Sequence, residues 1–454
     1  MKFGVLLDHQ YARDEDVARR VAGLVDYVDA LRDLGFDSVF GIHHYLSGLR
    51  TLQPMPLLAR LVDRSGEMQI GTGILILPLL HPVHVAEEVA TLDQLSGGRF
   101  VLGVGSGYRK EEFEAFGLKR SDRTARLVES LEVMTKLWTG EPVTHGGQHF
   151  QLEDASLSML PAQRPHPPVW IGANSPEGIT RAARLGHPWF APANVKRNWA
   201  VGNLQTYREE LVAAGFADEG RTYPIQRDLC IADSREEAFA LVEPYVRASY
   251  GAYSKYGMDY FDEMFEDFKE KSFFFGTPDE VAARIEDFAA AGFNHFVFRT
   301  QWLGCPSDVS LGIAERFARE VMPRFKEAHE TGNRAFESVR LGHVVLPVAD
   351  LERALGFVEQ ALGLPLRFRD GDRYAALDAG TGTLALAAPP EHVVAGAPAI
   401  GLKVADLGKA SARLRGTSAT IIGEIVETDH DRRLAFSDPD GNVFVLTESH
   451  PAGA

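Results

Sequence analysis

A glycine-rich turn is the first segment of this chain whose residue types and spacing suit ligand chemistry. The turn, Gly103-Val104-Gly105-Ser106-Gly107, ends an apolar run. Because it carries so few side chains, its backbone N–H groups can closely approach an anion or the edge of a flat ring. The further glycine of a dinucleotide fingerprint is missing, so the motif does not indicate a nicotinamide site. Taken alone, the segment could also be a plain tight turn.

His43 and His44 follow a short apolar run at residues 38–40. A neutral imidazole at the end of a strand can take a proton near neutral pH, which makes His44 a candidate catalytic residue. The alternative is a histidine that only packs or caps. No acid or thiolate stands at ligand spacing beside the pair, so a zinc site is not predicted.

Ser175 precedes Pro176 at the predicted start of a helix, where its hydroxyl would ordinarily cap the helix. A helix N-terminus also favours a phosphate, so the two roles are compatible. Arg299 and Trp302 follow the last apolar run before residue 328, and Trp302 could stack on a substrate or fill the rim of a site. Three other residues are predicted to be structural: His81, Trp170 and His187.

Short apolar runs alternate with helical periodicity from residue 1 to residue 328. This alternation favours parallel strands, and an eight-stranded β/α (TIM-type) barrel accounts for the number of runs better than an open doubly wound sheet. The open sheet stays a second interpretation. The strands are predicted at residues 2–7, 38–40, 69–77, 100–103, 169–172, 188–190, 225–231 and 294–298.

Residues 251–275 interrupt this alternation with many aromatic and acidic side chains. We expect a helical insertion that packs on the barrel. The functional alternative is a lid whose aromatic side chains shape a substrate pocket.

A different pattern begins after the polar linker at residues 329–339. One strand, one helix and three strands are predicted twice, with first strands at 341–348 and 400–404, in a repeat of about fifty residues. The segments 343–350 and 399–406 have similar residues at the same spacing. Residues 340–450 are therefore expected to form an α+β domain of paired βαβββ units. The chain is expected to be an α/β barrel at 1–328 followed by this second domain.

The 454 residues include 47 Lys and Arg against 63 Asp and Glu, which gives a net charge of −16. Nucleic acid and anionic membranes are therefore not expected partners. The two cysteines, Cys230 and Cys305, are too few for a disulfide framework. The longest apolar run, at 74–80, is too short to span a membrane, so a cytoplasmic location is expected.

Several motifs occur in order along the first 328 residues, and their order and spacing resemble the bacterial luciferase-like family of flavin-dependent monooxygenases. These motifs include Lys2-Phe3-Gly4, Gly35-Phe36-Asp37, Leu77-Pro78, His81-Pro82, Leu92-Asp93, Ser96-Gly97-Gly98-Arg99-Phe100, Phe116-Gly117, Gly172-Ala173-Asn174-Ser175, Gly276-Thr277-Pro278 and Glu320-Val321-Met322-Pro323-Arg324-Phe325.

The resemblance implies a β/α barrel and assigns roles to individual residues. His44 falls on a histidine that acts near the flavin, and Ser175 on a serine that binds the flavin phosphate. Ser106 replaces an arginine that grips this phosphate in luciferases, so another donor must serve here. A non-proline cis peptide is expected between Gly73 and Ile74. The implied cofactor-binding residues are Gly73, Ile74, Gly105, Ser106, Gly107, Asn174 and Ser175.

Residues 340–448 resemble the vicinal-oxygen-chelate superfamily, which includes glyoxalases and bleomycin-resistance proteins. His343 fits the first metal ligand of that superfamily, but Ala399 and Val445 occupy two further ligand positions. One ligand does not hold a divalent cation, so this domain is expected to be metal-free.

The resemblance implies a monooxygenase that receives reduced FMN from a separate flavin reductase and acts with oxygen on a small organic substrate. His44 would handle the proton, and a homodimer is expected. The first alternative is hydride transfer with a deazaflavin coenzyme, and the second is a non-enzymatic protein that binds a small ligand. The C-terminal domain would bind substrate or product, or pair subunits.

Overall fold

The computed structural model describes residues 1–254, 272–330, 340–362, 364–379, 382–389, 398–404, 407–415, 419–427, 431–438 and 442–449. The chain divides into two compact units, Met1–Lys326 and Glu327–Ala454. In these described segments, no helix is both long and apolar enough to cross a membrane.

A curled parallel sheet of the TIM-barrel type forms the centre of the first unit. The strand order is β11-β10-β7-β5-β3-β1-β14-β12-β13, with β6 beside β7. An isolated parallel bridge joins Ala191, directly after β11, to Ile225 of β12. The strands are β1 (Lys2–Leu7), β2 (Gln10–Tyr11), β3 (Ser38–Gly41), β4 (Arg50–Thr51), β5 (Gln69–Thr72), β6 (Leu75–Ile76), β7 (Phe100–Gly105), β8 (Val143–Gly146), β9 (Gln151–Ala155), β10 (Val169–Gly172), β11 (Trp189–Phe190), β12 (Pro224–Ile231), β13 (Phe274–Gly276) and β14 (His295–Arg299).

Side chains from six strands of this sheet meet in one buried cluster, which is possible only because the sheet curls around them. The rings of Phe40 and Trp170 lie 5.1 Å apart, and those of Trp170 and Phe190 lie 5.5 Å apart. This cluster fills the inside of the curl, below the carboxyl ends of the strands. Its members are Leu6, Phe40, Val101, Trp170, Phe190 and Val297.

Helices cover the outer face of the sheet and bury its apolar side chains. Proline at the first turn starts several of them, and Thr277 with Glu280 forms a reciprocal capping box. The helices of this unit are Val17–Asp33, Pro54–Leu61, Pro82–Leu95, Lys110–Ala115, Arg123–Leu137, Pro176–Arg184, Arg197–Ala213, Arg235–Ser254, Pro278–Ala290, Ser307–Glu320 and Pro323–Glu330.

The structure corrects two predicted elements and adds three that were not predicted. The single strand predicted at 69–77 is two short strands, β5 and β6, because the chain leaves the ladder at Gly73 and Ile74. The predicted insertion, 251–275, begins with the end of the helix Arg235–Ser254 and ends with the start of β13, which pairs with β12. Its residues 255–271 lie outside the described residues.

The added elements are the antiparallel pair of β2 and β4, the hairpin of β8 and β9, and the helix Lys110–Ala115.

The second unit contains an eight-stranded sheet with the order β16-β17-β18-β15-β19-β22-β21-β20. The helices Leu351–Leu362 and Leu407–Leu414 pack on it through separate hydrophobic clusters. Residues 331–339 of the predicted linker lie outside the described residues. The strands are β15 (Arg340–Pro347), β16 (Leu366–Asp370), β17 (Tyr374–Ala379), β18 (Gly382–Ala387), β19 (Ala399–Lys403), β20 (Thr420–Glu427), β21 (Asp431–Ser437) and β22 (Val443–Ser449).

Candidate active site

A cavity of about 650 Å³ opens at the carboxyl ends of the parallel strands, where β/α proteins place their active sites. Segments that follow β1, β3, β5, β7, β10, β11 and β14 all contribute to its wall. The cavity brings together every predicted site residue except Ser175. The predicted residues that line it are His44, Gly73, Ile74, Gly105, Ser106, Gly107 and Asn174.

His44 is oriented by a buried carboxylate. Nδ1 of His44 lies 3.1 Å from Oε1 of Glu112, which is fully buried. Because a carboxylate only accepts, Nδ1 carries the proton in this contact and Nε2 is the acceptor of the neutral ring. A histidine paired in this way is suited to act as a general base or acid on a group in the cavity.

The same carboxylate fixes the backbone that carries His44. Oε1 of Glu112 accepts the N–H of Tyr45 at 2.9 Å and lies 3.2 Å from Nη1 of Arg109. The buried Arg109 guanidinium also donates to the carbonyls of Tyr45 and Leu46, at 2.8 and 3.0 Å. The turn after β3 is therefore held against the helix Lys110–Ala115.

Glu112 remains ionised at neutral pH although it is buried. Burial by itself would raise the pKa of this carboxyl. The hydrogen bonds from His44 and the Tyr45 N–H, together with the Arg109 charge, outweigh burial and hold the pKa below its usual value. A negative charge beside Nδ1 stabilises His44 when the ring becomes protonated.

His43 has a structural role. Its Nδ1 accepts the backbone N–H of Ile76 at 3.0 Å, which ties the end of β3 to β6. Burial lowers the pKa of His43 to about 4, so the ring is neutral at physiological pH. The two neighbouring histidines therefore have separate functions.

The glycines of the site make room for Ile74. A Cβ atom on Gly105 would lie 2.7 Å from Cδ1 of Ile74, and one on Gly172 would lie 3.0 Å from its Cγ2. Gly107 adopts a φ of 73°, which favours glycine. The peptide bond between Gly73 and Ile74 is cis, as the resemblance implies.

The glycine turn shares the cavity with a cation that sequence reasoning missed. Arg120 lines the same cavity as Ser106, and its Nη1 donates to the carbonyl of Tyr108, two residues after Ser106, at 3.1 Å. Ser175 lies outside the lining, because it caps the helix Pro176–Arg184 and accepts the N–H of Gly178 at 3.3 Å. The preceding residue, not Ser175, faces the cavity.

A second buried carboxylate, Asp228, holds two side chains that line the cavity, those of Tyr250 and Arg299. It accepts hydrogen bonds from the Tyr250 hydroxyl at 2.7 Å and from Nε1 of Trp302 at 2.8 Å. Nε of Arg299 lies 3.8 Å from its Oδ1. Trp302 is 1% exposed, so the interpretation that it stacks on a substrate is wrong and it fills the interior.

Asp8 follows β1 and lines the cavity. Its Oδ1 accepts the backbone N–H of Gln10 at 3.1 Å. Burial raises the pKa of Asp8 to about 6, although Arg299 acts in the opposite direction. Asp8 therefore titrates closer to neutrality than an ordinary aspartate does.

Sequence reasoning missed Arg109, Glu112 and Asp228 because they act through residues distant in the chain. Arg109 and Glu112 stand three residues apart at a helix start, a spacing that places both on one face. Asp8, directly after a buried strand, carried the same signal as His44 and was overlooked.

The residues present fit a flavin-type cofactor. The cavity volume lies in the range of cofactor pockets, and the glycine turn, Ser106, Asn174 and Arg120 give donors suited to an anionic group. Within the described ranges, no three His, Cys, Asp or Glu side chains converge in a way that could hold a metal ion.

The chain resembles curated proteins over most of their length. It is 28% identical over 345 residues to 4-hydroxyprotoasukamycin monooxygenase of Streptomyces nodosus subsp. asukaensis, covering 72% of this chain and 92% of that protein. It is 27% identical over 320 residues to an F420-dependent glucose-6-phosphate dehydrogenase of Amycolatopsis mediterranei, covering 67% and 94%. It is 26% identical over 316 residues to the oxygenase component of flavin-dependent trigonelline monooxygenase of Acinetobacter baylyi, covering 63% and 85%.

Solved structures show the same fold. The oxygenating constituent of 3,6-diketocamphane monooxygenase of Pseudomonas putida, in complex with FMN, matches with a TM-score of 0.61 and 20% identity. The match covers 71% of this chain and 98% of that one. An F420-dependent secondary alcohol dehydrogenase matches with a TM-score of 0.59 and 20% identity, covering 70% and 98%.

Two family descriptions match the chain. The glyoxalase/bleomycin resistance protein/dioxygenase superfamily matches residues 340–446. The luciferase-like monooxygenase family matches residues 1–295, which is more than half of the sequence. The chain therefore belongs to the luciferase-like monooxygenase family of oxidoreductases and carries a glyoxalase-like domain after it.

Proposed function

We propose that this protein is a monooxygenase that uses reduced FMN and oxygen on a small organic substrate. The observation that carries the proposal is one cavity that joins the His44–Glu112 pair to the glycine turn. The similarity to monooxygenases over most of their length supports the same reaction class. When bound, reduced FMN supplies the activation of oxygen, and the protein supplies position and proton transfer.

We assign the flavin phosphate to the end of the cavity with the glycine turn. Ser106, Asn174 and the N–H groups of Gly105–Gly107 would bind it. Arg120 would supply the positive charge that luciferases supply from an arginine at the position of Ser106. Ser175 would contribute through the helix that it caps. Gly73 and Ile74 would contact the flavin ring. We also propose that the central parallel strands close into an eight-stranded barrel below the cofactor.

His44 would move the proton during oxygen transfer. Glu112 fixes the tautomer, so Nε2 is the atom that takes or gives the proton. The Arg109 and Glu112 contacts keep the His44 turn in one position, which lowers the entropy lost on reaching a reactive geometry.

A separate reductase would supply the reduced flavin. The trigonelline enzyme is named as an oxygenase component, and the proposal extends this two-protein arrangement to the present chain. We also propose a homodimer, with domain limits at 1–328 and 340–450 and a linker at 329–339. The second domain would be metal-free and would bind substrate or product, or pair subunits.

The second candidate is hydride transfer with the deazaflavin F420. It is favoured by the similarity to F420-dependent dehydrogenases over nearly their whole length. Family membership of residues 1–295 argues against the third hypothesis, a non-enzymatic protein that binds a small ligand.

The deciding experiment is an anaerobic titration with reduced FMN and, separately, with reduced F420, followed by rapid mixing with oxygenated buffer. Tighter binding of FMN and a transient absorbance, distinct from reduced and oxidised flavin, are expected. Preference for F420 with no transient would replace the proposal with hydride transfer. Binding of neither would contradict both.

The phosphate assignment is tested by the Arg120→Ala variant. We expect FMN to bind about tenfold more weakly, while riboflavin, which lacks the phosphate, binds as it does to the unchanged protein. Lys119→Ala is the matched control, because this neighbouring side chain is exposed and does not line the cavity. An equal loss for FMN and riboflavin would remove Arg120 from the phosphate site.

A further inference from the structure

A side pocket of about 660 Å³ lies next to the active-site cavity. Its wall is formed by residues 44–51, which follow β3, together with Arg13 and Gln53. His44 and Leu49 line both this side pocket and the cavity, whereas the glycine turn lines the cavity alone. A ligand in the side pocket would therefore contact the turn that carries His44 and would leave the proposed flavin-phosphate site open.

Two arginines, Arg13 and Arg50, and no described acid line the side pocket. They lie on facing segments, since β2 and β4 pair Tyr11 with Arg50 and Nε of Arg13 donates to the carbonyl of Gly48 at 3.0 Å. Nη1 of Arg50 donates to the backbone carbonyl of Glu15, also at 3.0 Å. Throughout the part of the chain that the structure describes, neither guanidinium makes a further hydrogen bond or an ion pair.

The acids next to these arginines in the chain do not neutralise the side pocket. The Glu15 carboxylate lies 3.1 Å from Nε of Arg20 and accepts the N–H of Ala12 at 2.8 Å. Asp16 caps the first helix, and Asp14 is exposed and lies outside the lining. The side pocket is therefore a cationic surface in a chain whose net charge is −16.

The acceptors of the turn are already used, so the groups that remain at the side pocket are mainly donors. The carbonyls at positions 44–46 and 48 accept hydrogen bonds from the side chains of Gln53, Arg109 and Arg13. A guanidinium presents its N–H groups as a planar fork, which matches the paired oxygens of a carboxylate or a phosphate. A cationic ligand would meet like charge here.

We propose that the side pocket is a second anion-binding site, which takes the carboxylate or phosphate group of a small molecule between Arg13 and Arg50. An oxyanion would neutralise both arginines, bind their remaining N–H groups and contact the turn that carries His44. The inference concerns a site separate from the flavin site and holds for either cofactor. Because both arginines are exposed, water and salt screen them, and a dissociation constant of about 1 mM is expected at low ionic strength.

The test is a calorimetric titration of the full chain with inorganic phosphate, with glutarate and with the uncharged glutaramide. Each titration is run with and without saturating FMN, because FMN fills the phosphate site proposed at the glycine turn. We expect phosphate and glutarate to bind in the presence of FMN and glutaramide not to bind. Binding should weaken as salt is added, since the charges are exposed.

Arg13→Gln and Arg50→Gln should each weaken anion binding at least about fivefold, because each removes one of the two cations. Arg60→Gln is the matched control, since Arg60 is exposed on the helix Pro54–Leu61 and lies outside the side pocket. Each of the two arginines also holds a backbone carbonyl, so thermal unfolding and FMN binding of the variants show whether the fold and the cavity are intact.

Three results would overturn the inference. The first is no binding of either anion, and the second is equal binding in the combined variant Arg13→Gln/Arg50→Gln. The third is anion binding that disappears when FMN is added and in Arg120→Ala, which would assign the anion to the glycine turn. Anion binding that depends on both arginines in a protein that does not bind FMN would support the side pocket and contradict only the flavin assignment.

Discussion

At the scale of single residues, the site depends on a histidine and a carboxylate that lie 68 positions apart in the chain. The pair resembles the histidine–carboxylate arrangement of acyl-transfer enzymes, in which the carboxylate orients the ring and stabilises its protonated form. Here the carboxylate also fixes the backbone of the histidine turn through the Tyr45 N–H. Orientation and backbone position are thus controlled by one side chain.

Removal of either partner should lower turnover without loss of cofactor. His44→Ala should reduce turnover about 100-fold, because proton transfer is lost, and Glu112→Gln about tenfold, because the ring loses its charged partner. The measurements are product formation, with a substrate identified by a turnover screen, and cofactor binding by absorbance titration. Glu111→Gln is the matched control, since this neighbouring side chain is exposed. Unchanged turnover in His44→Ala would exclude this residue from the mechanism.

Asp8 should lower the stability of the protein at neutral pH. Its pKa rises from 3.8 to about 6 on folding, so stability is fully present below 3.8 and is lost as pH rises through about 6. Asp8→Asn should therefore be more stable than the unchanged protein by about 1 to 2 kcal/mol at pH 8 and equally stable near pH 3.5. Denaturant unfolding at both pH values measures this difference. Equal stability at pH 8 would show that burial does not penalise the carboxylate.

At the scale of elements, one buried arginine holds the loop that follows β11. Arg227 is 0% exposed and its Nη1 donates to the carbonyls of Pro192 and Gln226, at 2.8 and 2.7 Å. Its guanidinium also lies 4.7 Å from the ring centre of Phe288. Residues 192–194 line the cavity, so this arginine positions part of the wall without touching the ligand.

Arg227→Lys should loosen that loop. Lysine keeps the charge but lacks the planar fork that reaches several carbonyls, so about 2 to 4 kcal/mol of stability should be lost. Affinity for reduced FMN should also fall several-fold, because residues 192–194 line the proposed cofactor cavity. Arg19→Lys, at an exposed site, should change neither quantity. The measurements are denaturant unfolding and calorimetry. Lost stability with unchanged affinity for FMN would show that the loop does not depend on this contact.

At the scale of the whole molecule, the two units have separate hydrophobic cores. The main core of the first unit extends from Phe3 to Phe325, and the second unit has its own clusters beneath each helix. Every predicted cofactor residue that lines the cavity belongs to the first unit.

Deletion of residues 335–454 should therefore leave cofactor binding unchanged. The remaining chain keeps its complete core and the whole lining of the cavity, so the dissociation constant for reduced FMN should stay within about twofold of that of the full chain. The anaerobic titration on both forms provides the comparison, with circular dichroism as the check of folding. A folded truncated chain with lost affinity would show that the second domain contributes to the site.

The alternation of the main strands and helices along the first 328 residues is predictable from the sequence, whereas the short pairs β2–β4 and β8–β9 and the helix Lys110–Ala115 are not. Apolar runs separated by helical periodicity indicate parallel strands, because buried strands and amphipathic helices have different repeats. The glycine turn and His44 were also recognisable, since each stands at the end of such a run. The glyoxalase-like domain could be recognised because two of its segments, 343–350 and 399–406, have similar residues at similar spacing.

Only the tertiary structure decided which side chains act together. Glu112 reaches His44, and Asp228 reaches Tyr250, Trp302 and Arg299, because the curl of the sheet brings the ends of distant strands to one cavity. No local pattern records such pairings. The raised pKa of Asp8 has the same origin, because the burial of this carboxyl and its proximity to Arg299, Arg20 and Glu15 exist only in the folded chain.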